Sequence, residues 1–182
     1  MPPWSYFGER AQLGRSATKL YGSIVAQARD PTPYRDLGVP DTPEARLEML
    51  LLHLALVLLR LKCEGTTTER LARALTEAFV SDMDACMREM GIGDLSVPRH
   101  VKKAVAALYE RMRDYGAALA GPEEALGRLV AAHLFAGTAA AGAAPLAAMV
   151  RAVSRGLARQ LSSDLLAGRV AFPAWPRTDD AR

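Results

Sequence analysis

Apolar residues recur at helical spacing along most of the chain, and strands have almost no support. No alternating run of Val, Ile, Thr or Tyr stands between turn residues, whereas a repeat every three or four residues marks an amphipathic helix. The cleanest case is Val101, Val105, Leu108, Met112, Tyr115 and Leu119, on one face of a helix opened by Ser96 and Pro98. Upstream, a first helix is predicted from about Glu9 to Ala28. The segment from there to Asp41, with Pro31, Pro33, Gly38 and Pro40, reads as a long surface loop. Thr42 then supplies an N-cap, Pro43 the first helical position and Glu44 a carboxylate at the positive end of the dipole, for a leucine-rich helix reaching about Lys62.

Gly65 breaks that helix, one of Thr66 to Thr68 caps a third, and Gly91 and Gly93 end it. The Ser96 helix is the fourth. Gly121 and Pro122 restart a fifth that fades at Gly137, residues 138–144 form an Ala/Gly linker, and Pro145 begins a sixth. The tail from Phe172, with Pro173 and Pro176, reads as irregular and mobile. Short connections favour antiparallel neighbours. The fold class is therefore all-α, a single-domain antiparallel helical bundle of about six or seven helices.

Composition narrows the function. The 182 residues, 50% hydrophobic and 24% charged, suit one domain. The longest apolar run, Met49 to Leu61, is 13 residues interrupted by His53 and Arg60, short of the roughly 18 to 20 that span a bilayer. It should be a buried core helix. The N-terminal residues lack a signal-peptide h-region, which points to a cytoplasmic protein. Cys63 and Cys86 are isolated, so neither a disulfide framework nor a zinc site is indicated. A net charge of +3 is too small to imply DNA or RNA, but it is uneven: residues 1–97 carry −2 and residues 98–182 carry +5.

Chemistry-bearing residues are few. On the third helix Asp82 and Glu89 share a side with Leu71, Leu75, Phe79, Met83 and Met90, while Asp84 and Arg88 point outward as an i,i+4 pair. Buried carboxylates need partners. The second helix offers Arg46, His53 and Arg60 at seven-residue intervals, and folding the two helices together brings Arg46 level with Asp82. Arg46, Asp82 and Glu89 are thus expected to form structural ion pairs that fix helix register, with a polar recognition surface as the alternative and catalysis third. Asp82 and Asp84 diverge by about 200° on a helix and cannot chelate one ion together. No metal site follows. His53 sits among leucines, as a core histidine would, and no spacing supplies a second axial ligand for haem. GxSxG, P-loop, GxGxxG and HExxH motifs are absent. On the sixth helix Arg151, Arg155 and Arg159 stack opposite Leu146, Val150, Val153, Leu157 and Leu161, a basic amphipathic face suited to an anionic membrane, a ribosome surface or solvent.

Several longer strings are more specific. They are Leu20-Tyr-Gly-Ser-Ile-Val-Ala-Gln-Ala-Arg29, Gly38-Val-Pro-Asp-Thr42, Arg46-Leu-Glu-Met-Leu50 with Leu52-His53, Ala78-Phe-Val-Ser-Asp-Met-Asp84, Arg88-Glu-Met-Gly-Ile-Gly-Asp94, Val97-Pro98 with Val101-Lys-Lys103, and Tyr109 two residues before Arg111. Together they resemble the ubiquinol-cytochrome c chaperone family over roughly residues 18–120. Ala45, Ala104 and Glu110 depart mildly from its pattern. The resemblance divides the chain into an N-terminal segment (1–17), the family-like core (18–120), Ala-rich C-terminal helices of the same domain (121–171) and the tail (172–182).

It implies a non-enzymatic assembly factor with no cofactor, which binds newly made cytochrome b and promotes assembly of the cytochrome bc1 complex. It also implies work near a ribosome or the inner face of the membrane, and mitochondrial relatives act with a second small assembly protein. Partner contact is then expected at Asp41, Asp84, Arg88, Asp94, Lys102, Lys103 and Tyr109. A helical small-molecule or haem-binding protein, and a hydrolase without a recognisable motif, are the competing expectations.

Overall fold

The computed structural model describes residues 4–62, 64–137 and 141–175, with side chains from Gly8 onward. Among them are six long helices and two of five residues, with no strand. The all-α reading holds. The long helices are α1 (Trp4–Ala28), α3 (Pro43–Leu61), α4 (Thr66–Glu89), α5 (Val97–Ala120), α6 (Glu123–Leu134) and α7 (Ala143–Arg159); the short ones are α2 (Thr32–Asp36) and α8 (Ser162–Leu166). The expected 138–144 linker lies partly outside the described residues, as does Cys63.

Helix α3 is the centre. Its Thr42 hydroxyl accepts from the Ala45 amide at 3.2 Å, the cap that the sequence predicted. All residues from Leu51 to Leu58 are buried. Eight consecutive residues exceed two turns, so neighbours surround this stretch on every side. Those neighbours are α1, α4, α5, α6 and α7.

The stronger partner of α4 is not α3 but α1. Arg70 pairs with Glu9 at 2.7 Å and the Tyr21 hydroxyl donates to Asp82 at 2.7 Å, both separated by 61 residues. A constant offset means that α1 and α4 run parallel and in register.

Helix α2 lies where a loop was expected. Asp30 Oδ1 accepts from the Thr32 amide at 2.8 Å, and prolines 31 and 33 pre-set φ for a single turn too short to show a period. Its end meets α7 closely: a Cβ on Gly142 would sit 1.7 Å from the Leu37 carbonyl oxygen, so only glycine fits.

The tail from Phe172 is irregular, as expected, but residues 172–175 are docked rather than loose. The Gln160 side chain bonds both backbone groups of Ala171 at 2.8 Å, donating to its carbonyl and accepting from its amide. Beyond that clamp Phe172 and the buried Trp175 meet the His53 ring edge-on at 5.7 and 5.9 Å. Apolar burial overrides the irregular backbone that the prolines impose. Residues 176–182 lie outside the described part.

Candidate functional site

An open groove of about 750 Å³ runs between α4 and α5 with the end of α3 beneath it. Leu58, Ala72, Val80 and Met112 supply apolar lining, and Lys62, Glu69, Arg73, Glu77 and Ser81 the polar part. The pattern follows from α4 itself, because 69, 73, 77 and 80 recur every three or four residues and occupy one ridge of the helix. Thr76, also in the wall, donates its hydroxyl to the Ala72 carbonyl at 2.9 Å, which satisfies that polar group within its own helix. Tyr109, half exposed, stands at the groove and also borders a second hollow of about 550 Å³ with Lys103, Glu110 and Arg113. Such a trough can receive an apolar segment whose flanks carry charge.

Among the described residues, Tyr109 alone of the expected partner-contact residues lines the larger groove. Asp84 and Asp94 both hold Arg88, Asp84 at 2.7 Å, making a three-residue cluster that joins the end of α4 to the following turn. The Arg88 guanidinium keeps the Asp84 carboxyl below the usual carboxylate range. Lys102 and Lys103 are exposed on α5, turned away from its buried residues Ala104 and Leu108.

The expected pairing of Arg46 with Asp82 or Glu89 is not what forms. Arg46 reaches back to Asp41 at 2.5 Å and lies over the Tyr34 ring, 5.3 Å from its centroid. Its helix end is exposed, and α2 offers an aromatic face that a loop would not. Asp82 faces α1 and takes the Tyr21 hydroxyl, and Glu89 is exposed rather than on the buried side. Burial and the bond to Asp82 push the Tyr21 phenol upward.

The third member of the stripe, Arg60, does something different. It donates to the Leu157 and Gln160 carbonyls, both at 2.9 Å, and pairs with Glu64 at 2.5 Å. This caps the C-terminus of α7. His53 is fully buried, and its Nδ1 donates to the Met49 carbonyl at 2.7 Å while Nε2 has no partner among the described residues. Burial lowers its pKa to about 4, so it is neutral.

The α7 basic face is only partly outward. Arg155 and Arg159 are exposed, but Arg151 is half-buried, with one guanidinium nitrogen out of reach of solvent. No helix among the described residues is long and apolar enough to cross a membrane.

One element escaped sequence reasoning. Glu48 accepts two bonds from Arg111, each 2.8 Å, across the α3–α5 interface. Beneath it lie Tyr115 and His133, ring centroids 6.4 Å apart. Both partners stood in family-like strings, Glu48 within Arg46-Leu-Glu-Met-Leu50 and Arg111 after Tyr109, but nothing in either string marked them as a pair.

Residues 35–172 match the family described as ubiquinol-cytochrome C chaperone. The chain belongs to that family. Among solved structures it is similar to the crystal structure of the Cbp3 homolog from Brucella abortus, at 32% identity and a TM-score of 0.83, covering 95% of this chain and 97% of that one. No curated protein matches it. The chaperone-family match extends well past residue 120, so the Ala-rich helices α6 and α7 belong to the family region as fully as the groove helices do.

Proposed function

We propose that this ubiquinol-cytochrome c chaperone serves assembly of the cytochrome bc1 complex without catalysing a reaction, that newly made cytochrome b is its client, and that the α4–α5 groove receives the client. The observation that carries this reading is the conjunction of the family match with an open trough whose apolar lining is edged by Lys62, Glu69, Arg73 and Glu77. Cytochrome b is a multi-span apolar protein, and before its partner subunits arrive its helices present surfaces that aggregate. A trough of this kind covers apolar area and leaves charges hydrated at its edge. Action at the cytoplasmic face of the membrane, next to the ribosome, and with a second small assembly protein belongs to the same proposal.

The test is a deletion strain grown where the bc1 complex is required. Cytochrome b and assembled complex should fall and be restored by the wild-type chain. A Val80→Asp chain, which places a charge in the apolar lining, should fold but neither restore them nor enrich cytochrome b in a pull-down. Normal cytochrome b in the deletion strain rejects the proposal. Full rescue by Val80→Asp moves the client away from this groove.

A further inference from the structure

Of the large apolar side chains left exposed in the described structure, two stand on the short turn between α4 and α5: Met90 at 70% exposure and Leu95 at 99%. The first two turns of α5 follow at once, and they hold Arg99, Lys102 and Lys103, all exposed. None of these three side chains has an ion pair or hydrogen bond among the described residues. From Leu95 to Tyr109 there is no acidic residue. Asp84 at the end of α4 and Asp94 in the turn share the single cation of Arg88, and Glu89 is exposed beside Met90, so with Arg99, Lys102 and Lys103 the corner keeps a net charge of +1, its unpaired cations all on α5. His100 is exposed among them, its Nδ1 donating to the Ser96 carbonyl at 2.9 Å. At a rise of about 1.5 Å per residue, the cations lie within about 10 Å of the turn along the helix axis.

We infer that this turn and the start of α5 form a membrane-facing corner, in which Met90 and Leu95 enter the headgroup boundary of an anionic lipid surface while Arg99, Lys102 and Lys103 meet lipid phosphates. Two separate projecting side chains suit a lipid boundary, which closes around each of them. A stable protein partner needs on the order of 800 Å² of contiguous complementary surface on each side. The unpaired positive charge beside them selects an anionic leaflet. By the same reasoning the corner is a fuller membrane contact than the end of α7, where Arg151 is drawn inward and a single exposed large apolar residue, Leu161, accompanies Arg155 and Arg159.

The experiment is sedimentation of the full chain with phosphatidylcholine vesicles made with and without phosphatidylglycerol, at low and high salt. Wild type should bind only the anionic vesicles, and salt should weaken it. Lys102→Glu with Lys103→Glu should reduce partitioning on the order of tenfold or more. Leu95→Ser should weaken it in both salts, and Arg155→Glu with Arg159→Glu should leave it unchanged. Thermal melts followed by circular dichroism show that each variant keeps its fold. Absence of wild-type binding to anionic vesicles overturns the inference, and so does loss of binding through the α7 pair alone. A lysine variant that binds vesicles normally but no longer captures cytochrome b also overturns it, by making the corner a protein-docking face. This inference deepens the membrane-side part of the proposed function; because the vesicles contain no protein, failure here leaves the client and groove reading standing, and failure of that reading leaves this one.

Discussion

Removing one partner of the Glu48–Arg111 pair is the sharpest test of how the bundle is held. The two side chains are only 19% and 11% exposed and are joined by two parallel bonds of 2.8 Å. Breaking a fully buried pair costs roughly 3 to 5 kcal/mol, because the remaining charge is left uncompensated. About a fifth of the Glu48 side chain still meets water, and Glu110 stays 3.2 Å from Arg111 as a second, more exposed partner, so we expect Glu48→Gln or Arg111→Met to cost less, about 2 to 3 kcal/mol. For a domain of this size that is a fall in Tm of about 5 to 10 °C.

Urea unfolding of both single variants, and of Glu48→Leu with Arg111→Met, separates geometry from charge. The double variant should recover most of the loss, since an apolar pair of similar volume needs no desolvation of ions. A second readout comes from His133, whose pKa is held below its ordinary value of 6.5 first by burial and then by Arg111. NMR titration should show it rising in Arg111→Met. Single variants within about 0.5 kcal/mol of wild type, the range of ordinary surface substitutions, or a His133 titration that does not move, would refute the reasoning.

Three further outcomes follow from the packing. His53 has a folded pKa of about 4 against 6.5, so its neutral form stabilises fully above 6.5 and loses that contribution as pH falls toward 4. At about pH 5 the loss is about 2 kcal/mol, and urea curves of wild type and His53→Gln should converge by that amount; parallel pH dependence would contradict it. Arg60→Ala removes the two bonds that cap α7 and should cost about 1 to 2 kcal/mol, with faster amide exchange confined to the last turn of that helix. Gly142→Ala should destabilise severely in thermal melts, because the added Cβ meets the Leu37 carbonyl at 1.7 Å.

The parts that were legible in sequence are those set by local rules. The Thr42 cap, the breaks at Gly65 and Gly91 and the face from Val101 to Tyr115 needed only spacing and turn chemistry. What failed depends on which helices meet. Arg46 and Asp82 are level along the chain's fold-back, yet Asp82 faces α1, and no helical wheel of α3 and α4 alone contains a third helix. The tail was misread for a related reason: two prolines mark an irregular backbone, but whether Trp175 is free or buried is decided by the hollow beside His53. The groove was only half visible: Tyr109 stood in a family-like string, but Glu69, Arg73 and Glu77 become one edge of a trough only when the fold sets Met112 and Tyr109 opposite them.

The parallel register of α1 and α4 has a consequence for synthesis. Antiparallel neighbours joined by a short turn can pair as soon as the second helix leaves the ribosome, but Tyr21 and Asp82 are 61 residues apart. At about 5 to 20 residues per second, about 3 to 12 s pass between the appearance of one and the other. During that interval the α4-facing side of α1 is amphipathic surface without its native partner, and loop closure must precede any reward from the contact. The α1–α4 seam is therefore a late event in folding, and the growing chain passes through the same condition, an apolar helix awaiting its neighbour, that an assembly chaperone relieves in others.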